Sequence, residues 1–165
     1  MGPRPASGKI LSMGDTTIIH RAPAMGAART LLASAGLPVA DLTQAHMEHF
    51  FYVGLPSAPV GLVGVEMCGE DALLRSLVVV PSQRTAGLGE ALVAHAESHA
   101  RSEGAHAIYC LTTTAEAFFR RRGYVEADRA CAPVAVRETR EFSAICPSSS
   151  AFLYKDLAGL SASAG

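Results

Sequence analysis

Between positions 50 and 80 the chain alternates apolar runs with turn formers. Residues 50–55, 60–67 and 72–80 are rich in Val, Leu, Phe and Tyr, and Pro56-Ser57-Ala58-Pro59 and Gly69-Glu70-Asp71 separate them. β-Branched and aromatic residues bounded by Pro, Gly and Asp predict three strands in an antiparallel meander. Upstream, residues 16–20 predict a short first strand, and the Ala/Leu-rich stretch 25–35 predicts a helix that stops at Gly36 and Pro38. Asp41 stands where an N-cap belongs for a second helix through His49, with Leu42, Ala45, His46 and His49 at helical spacing. Downstream, an Ala-rich helix runs from Gly87 to Glu103 and ends at Gly104, followed by a strand over 106–111. A short helix over 115–122, a strand from Tyr124, a helical stretch over 133–143 and a last strand over 151–155 complete the chain. The predicted order is βααβββαβα, then strand, helix, strand.

Composition narrows the class. Of 165 residues, 49% are apolar and 18% charged, which suits one globular domain with a sizeable core. Lys and Arg total 14 against 15 Asp and Glu, so no basic excess draws the chain to nucleic acid or anionic lipid. No apolar run approaches the roughly 20 residues of a membrane span. Cys68, Cys110, Cys131 and Cys146 are widely spaced without a Cys-x-x-Cys pair. A cytoplasmic protein with reduced thiols and small-molecule partners is expected, with no nucleic acid and no membrane. Residues 1–15 lack a hydrophobic period and are expected to be a disordered leader or tag. The domain is expected over 16–157 and a flexible tail over 158–165. His95 and His99, like His46 and His49, have helical spacing, but neither pair fits His-Glu-x-x-His, so no metal is expected.

The chemistry concentrates in one loop. Val78-Val79-Val80-Pro81-Ser82-Gln83-Arg84-Thr85-Ala86-Gly87-Leu88-Gly89 leads from a Val-rich strand into the Ala-rich helix, with glycines two apart at the helix start. Unpaired backbone N–H groups at a helix N-terminus lie at the positive end of its dipole, and glycine lets a phosphate come close. Arg84 adds a charge-assisted contact. The spacing is neither that of a P-loop nor that of a dinucleotide-binding Gly-x-Gly-x-x-Gly.

The segment Arg84-Thr85-Ala86-Gly87-Leu88-Gly89 resembles the Arg/Gln-x-x-Gly-x-Gly/Ala signature of the GNAT acetyltransferase superfamily. Phe118-Phe119-Arg120-Arg121-Arg122-Gly123-Tyr124 is similar to its Phe-Tyr-x-x-x-Gly-Phe segment. The resemblance covers residues 16–157. It implies an α+β (α/β) GNAT fold: a central mixed, mostly antiparallel sheet flanked by helices, with a splayed strand pair holding acetyl-CoA. More narrowly, Leu73-Leu74-Arg75-Ser76-Leu77, Leu111-Thr112-Thr113-Thr114-Ala115-Glu116 and Arg137-Glu138-Thr139-Arg140-Glu141-Phe142 resemble the arsenic-resistance acetyltransferases.

The resemblance implies the roles. Leu77, Val78 and Val79 would face the pantetheine and thioester with their backbone, and Arg84, Thr85, Ala86, Gly87, Leu88, Gly89 and Glu90 would hold the phosphates. Thr112, Phe118 and Phe119 would complete the cosubstrate site. Glu66 is the candidate general base. Phe119 stands where a tyrosine acid is usual, leaving Tyr124, Tyr109, water or no acid at all. Arg75, a mid-strand cation that needs an anion, and Ser76 would hold the acceptor's acid, a structural ion pair being the alternative; Arg137 and Thr139 would line the acceptor pocket, or belong to a solvated helix face. That acceptor would be a small amino-acid-like amine, and by the narrower resemblance an arsenical glutamate analogue, as in detoxification. The alternatives are a polyamine, a protein lysine or N-terminus, or a non-catalytic acyl-CoA sensor. The superfamily also makes a homodimer a possible state.

Overall fold

The computed structural model describes residues 17–84, 87–145 and 150–158. Seven strands form one sheet: β1 (His20–Arg21), β2 (Phe50–Leu55), β3 (Ala58–Cys68), β4 (Asp71–Val79), β5 (Ala107–Thr112), β6 (Val125–Glu126) and β7 (Ala151–Asp156). Their order across the sheet is β1-β2-β3-β4-β5-β7-β6. Every neighbouring pair is antiparallel except β4 and β5. The helices are α1 (Met25–Ser34), α2 (Leu88–Ser102), α3 (Glu116–Arg121) and α4 (Val134–Arg137).

The meander and the α2–β5 unit lie within a few residues of the predicted positions. The sheet alternates its side chains between two faces. On one face Phe51, Val63, Val65, Ala72, Leu74, Ile108 and Cys110 pack beneath Leu88, Leu92, Val93, Ala96 and Ala100 of α2. Those helix positions recur at the spacing of one face, which is why α2 docks lengthwise. It ends on Gly104 (φ 99°), with Gly104 N–H donating to the Arg101 carbonyl and Ala105 N–H to that of Ala100. On the other face two smaller clusters form. One gathers Leu32, Leu42, Met47, Phe50, Tyr52 and Leu62 under α1; the other gathers Cys68, Leu73, Leu111, Val136 and Phe152 under α4.

Three segments differ from expectation. The first strand pairs over only two residues, His20 with Tyr52 and Arg21 with Phe51. The second helix is a 3-10 turn, Gln44–His49, capped by Thr43, whose backbone N–H donates to His46 Nδ1. Asp41 is therefore not its cap. The predicted C-terminal helix breaks into α4 and a π-turn, Glu141–Ile145. Thr139 sits at the break: its hydroxyl donates to the Val136 carbonyl and accepts from Phe142 N–H, replacing helical bonds with local ones.

The feature that shapes the site is a bulge in β4. Leu62 pairs with Val78 and Gly64 with Arg75, so Val63 alone faces both Ser76 and Leu77. Ser76 takes φ 62°, a left-handed conformation costing a non-glycine residue about 1 kcal/mol. A bulge bends and twists its strand. Pairing between β4 and β5 accordingly stops at Leu74 and Cys110, and among the described residues the rest of β4 has no strand partner on that side.

Gly64, just across from the bulge, leaves no room for a side chain, because a Cβ there would collide with the buried ring of Phe50. Gly64→Ala is expected to destabilise the fold by about 2 kcal/mol through overpacking, measured as a lower urea midpoint at unchanged slope; an unchanged midpoint would mean that the Phe50 ring moves freely.

Candidate active site

Beyond Leu74 and Cys110 the parted strands open two adjoining cavities. The outer one, about 400 Å³, is lined by Leu77, Val78 and Val79 of β4, by Arg84, Gly89 and Glu90 at the start of α2, and by Thr114, Ala115, Phe118 and Arg121. The inner one, about 300 Å³, is lined by Leu74, Arg75 and Ser76, by Cys110, Leu111 and Thr112, and by Glu141 and Ser150. Leu37, Leu77, Thr114 and Ala115 border both.

The outer cavity is built for an anion. Gly87 (φ 80°) is the N-cap of α2 and contributes no side-chain bond, so the first N–H groups of a 15-residue helix remain open to a ligand. Gly89 is close to the ring of Phe118, with 3.4 Å left for a Cβ. The Arg84 Nε donates to the Val79 carbonyl at 2.9 Å, which folds the side chain back along the end of β4. Thr85 and Ala86 lie outside the described residues.

The inner cavity has the opposite character. Arg75 is 2% exposed, and a guanidinium so deep must be neutralised. Asp41 meets it with a two-pronged bond, Nη1 to Oδ2 and Nη2 to Oδ1, the latter at 2.8 Å. Glu66 Oε1 lies 3.4 Å from Nη1 and Glu141 Oε1 lies 3.3 Å from Nε. Three carboxylates thus surround one cation. The Arg75 bond holds the Asp41 carboxyl below its ordinary range. Burial pushes Glu141 up to about 7, against the opposing pull of Arg75 and with the help of Asp41 and Glu66.

This geometry changes several sequence-based expectations. Arg75 lines the inner cavity, but its Nη groups donate to the Asp41 and Glu66 carboxylates and its Nε to the Ser76 hydroxyl, so it is not a free anchor for a substrate acid. Glu66 turns its carboxylate toward Arg75 and toward His46 Nε2 at 3.8 Å, and it lines neither cavity. Tyr124 is buried in the core, where its hydroxyl donates to Glu97 at 2.9 Å and Lys155 completes an ion pair; burial raises its pKa further, so it is not placed to protonate a leaving group. Tyr109 stacks between Phe152 and Tyr154. Thr139 spends its hydroxyl on the backbone, and Arg137 is exposed on α4.

Ser76, Leu77, Val78, Val79, Arg84, Gly89, Glu90, Thr112, Phe118 and Phe119 do line the cavities. Gly87 caps α2 beside them, and Leu88 is buried beneath as core. Thr112 Oγ1 accepts from Thr114 and Ala115 N–H, shaping the turn after β5. Cys110 is buried and its thiol pKa raised, which keeps it protonated. His49 and His99 bond each other at 2.8 Å, while His95 turns its ring against Phe51. Asp41, His46 and Glu66 bring ligand-type atoms within 4.8 Å of one another, and the positive charge that Asp41 and Glu66 share is Arg75.

Sequence reasoning missed Asp41 and Glu141 as partners of Arg75. The available signal was the arginine itself, since a cation inside an apolar strand demands a carboxylate, though nothing in the chain says which one.

Removing Asp41 strands the guanidinium: Asp41→Asn should cost about 3 kcal/mol in urea unfolding, and a loss near zero would show that Glu66 and Glu141 suffice. The pH dependence has two signs. The depressed Asp41 contributes stability that is lost as pH falls through its folded pKa. The raised Glu141 contributes stability present below its unfolded value and lost as pH rises through about 7. Between about pH 4.5 and about pH 7 the wild type should therefore lose stability relative to Glu141→Gln; parallel curves would contradict this.

Comparisons with known proteins now bear on this arrangement. Residues 46–126 match the family described as Acetyltransferase (GNAT) domain. No curated protein matches the chain by sequence. Among solved structures, N-acetylglutamate synthase from Neisseria gonorrhoeae, complexed with coenzyme A and N-acetyl-glutamate, superposes with a TM-score of 0.75 at 18% identity, covering 92% of this chain and 37% of that one. The chain thus spans about a third of the synthase's length. Rv2747 from Mycobacterium tuberculosis, in complex with CoA and NLQ, gives 0.66 at 17% identity over 84% of this chain and 98% of its own. An acetyltransferase from Streptococcus agalactiae gives 0.62 at 15% identity, covering 85% and 98%. At these identities the likeness is one of fold. Among the described residues no helix is long and apolar enough to cross a membrane. The chain thus has the fold of the GNAT acetyltransferases, and the segment that matches the GNAT domain model spans β4, the start of α2 and β5.

Proposed function

We propose that the domain transfers the acetyl group of acetyl-CoA to the amine of a small amino-acid-like acceptor. The observation that carries this reading is the continuity of the two cavities across the β4–β5 splay. A cosubstrate with its phosphates at the open N-terminus of α2, near Arg84 and Arg121, would thread its pantetheine past Leu77, Val78 and Val79. Its thioester would then reach the border of the inner cavity. Backbone N–H groups of the unpaired part of β4 can donate to the thioester oxygen as negative charge builds there. The thiolate is a tolerable leaving group, so the phenylalanine at 119 does not forbid the reaction.

The size of the inner cavity, about 300 Å³, suits a small molecule. The ligands named for the synthase and for Rv2747, N-acetyl-glutamate and NLQ, support an amino-acid scale. The narrower acceptor suggested by the sequence is an arsenical glutamate analogue. The negative surplus around Arg75 weighs against its acidic group binding there, so in this reading that group points outward.

The test is chromatographic measurement of coenzyme A released from acetyl-CoA with glutamine, glutamate, an arsenical glutamate analogue, spermidine, a lysine peptide or no acceptor. Turnover of an amino acid or of the arsenical above the acceptor-free background is expected. Turnover of spermidine or peptide alone would replace the acceptor class, and binding with no turnover would favour a sensor.

A further inference from the structure

Two buried polar groups facing the inner cavity are poorly satisfied. Glu141 is 4% exposed, and among the described residues its carboxylate has one ion-pair contact, to Arg75, and no hydrogen bond. Ser150 is 5% exposed, lines the same cavity, and among the described residues its hydroxyl has no hydrogen-bond partner. Buried polar atoms are nearly always paired, so a buried carboxylate with one ion-pair contact and a buried unpartnered hydroxyl lining the same small cavity leave room for a donor. An ammonium group, with three N–H bonds and no acceptor, fits that description.

We propose that Glu141 is the general base of the acetyl transfer, with Ser150 holding the acceptor nitrogen beside it. This rests on the acetyltransferase reading above. Glu141 receives one proton from the acceptor ammonium, leaving a neutral amine. The amine nitrogen forms a bond to the thioester carbon, and the C–S bond then breaks with its electron pair remaining on sulfur. The nitrogen's second proton goes to the thiolate, giving coenzyme A thiol and the amide, and Glu141 returns its proton to solvent. A base with a pKa near the working pH can both take and return a proton, and burial sets Glu141 at about 7. The groups facing it are Arg75 and the more distant Asp41 and Glu66, with His46 behind Glu66 and the protonated Cys110 on β5. Glu66, the base expected from sequence, instead acts on Glu141 through its charge.

The experiment is the pH profile of kcat/KM for wild type, Glu141→Gln and Glu66→Gln, with acetyl-CoA affinity measured by calorimetry. The wild type should rise with pH through about 7. Glu141→Gln should lose that limb and on the order of 100-fold or more in kcat, with acetyl-CoA affinity retained. Glu66→Gln should keep the limb but move it to lower pH, because removing a neighbouring negative charge lowers the pKa of Glu141. Wild-type turnover with the limb intact in Glu141→Gln would overturn the base assignment while leaving acetyl transfer standing. No wild-type turnover with any acceptor would overturn both. Glu141→Gln without acetyl-CoA affinity leaves the Glu66→Gln shift to decide: a limb unmoved by that substitution would overturn the proposal.

Discussion

A single buried guanidinium organises this molecule. Arg75 sits next to the bulge in β4, and its charge can be tolerated there only because carboxylates arrive from three other places in the chain. Asp41 comes from the segment after α1, Glu66 from β3 and Glu141 from the π-turn after α4. Each is drawn to the same point between the two small apolar clusters of that sheet face. The ion cluster therefore joins those clusters into one layer. Two of its members, Arg75 and Glu141, also line the inner cavity, so the interaction that closes the fold sets the electrostatics there.

The consequence is a slot with opposite ends. At one end lie an uncapped helix N-terminus, Arg84 and Arg121; at the other, three carboxylates share one cation. In the proposed reading a polyanionic cosubstrate is favoured at the first and a protonated amine at the second, which would orient two reactants toward each other. Between them the β4 strand, freed from β5 by its own bulge, offers backbone donors where a thioester oxygen would lie. The strain at Ser76 and the poor satisfaction of Glu141 are both local costs, and such costs gather at working sites.

Much of this was readable in the chain. The three-strand meander, the glycine-rich entry to α2 and the stops at Gly104 and Gly123 follow from short-range chemistry: periodicity, turn residues and left-handed caps. What lay beyond sequence was long-range. Asp41 resembles a helix cap until Arg75, 34 positions away, claims it. Glu141 lies in a charged stretch that reads as a solvated helix, and only the break at Thr139 turns it inward. Tyr124 was one of several substitutes for the missing acid, yet its hydroxyl belongs to Glu97 on α2. In each case local sequence supplied the residue and a distant partner decided its use.

The most direct test of the slot as the cosubstrate site is hydrogen–deuterium exchange with and without acetyl-CoA. Binding across the splay should slow exchange together in two peptides distant in sequence, one covering Leu77, Val78 and Val79 and one covering Leu88, Gly89 and Glu90, with β2 unaffected. Protection confined to another surface, or none at saturating acetyl-CoA, would contradict the placement of the cosubstrate between β4 and β5.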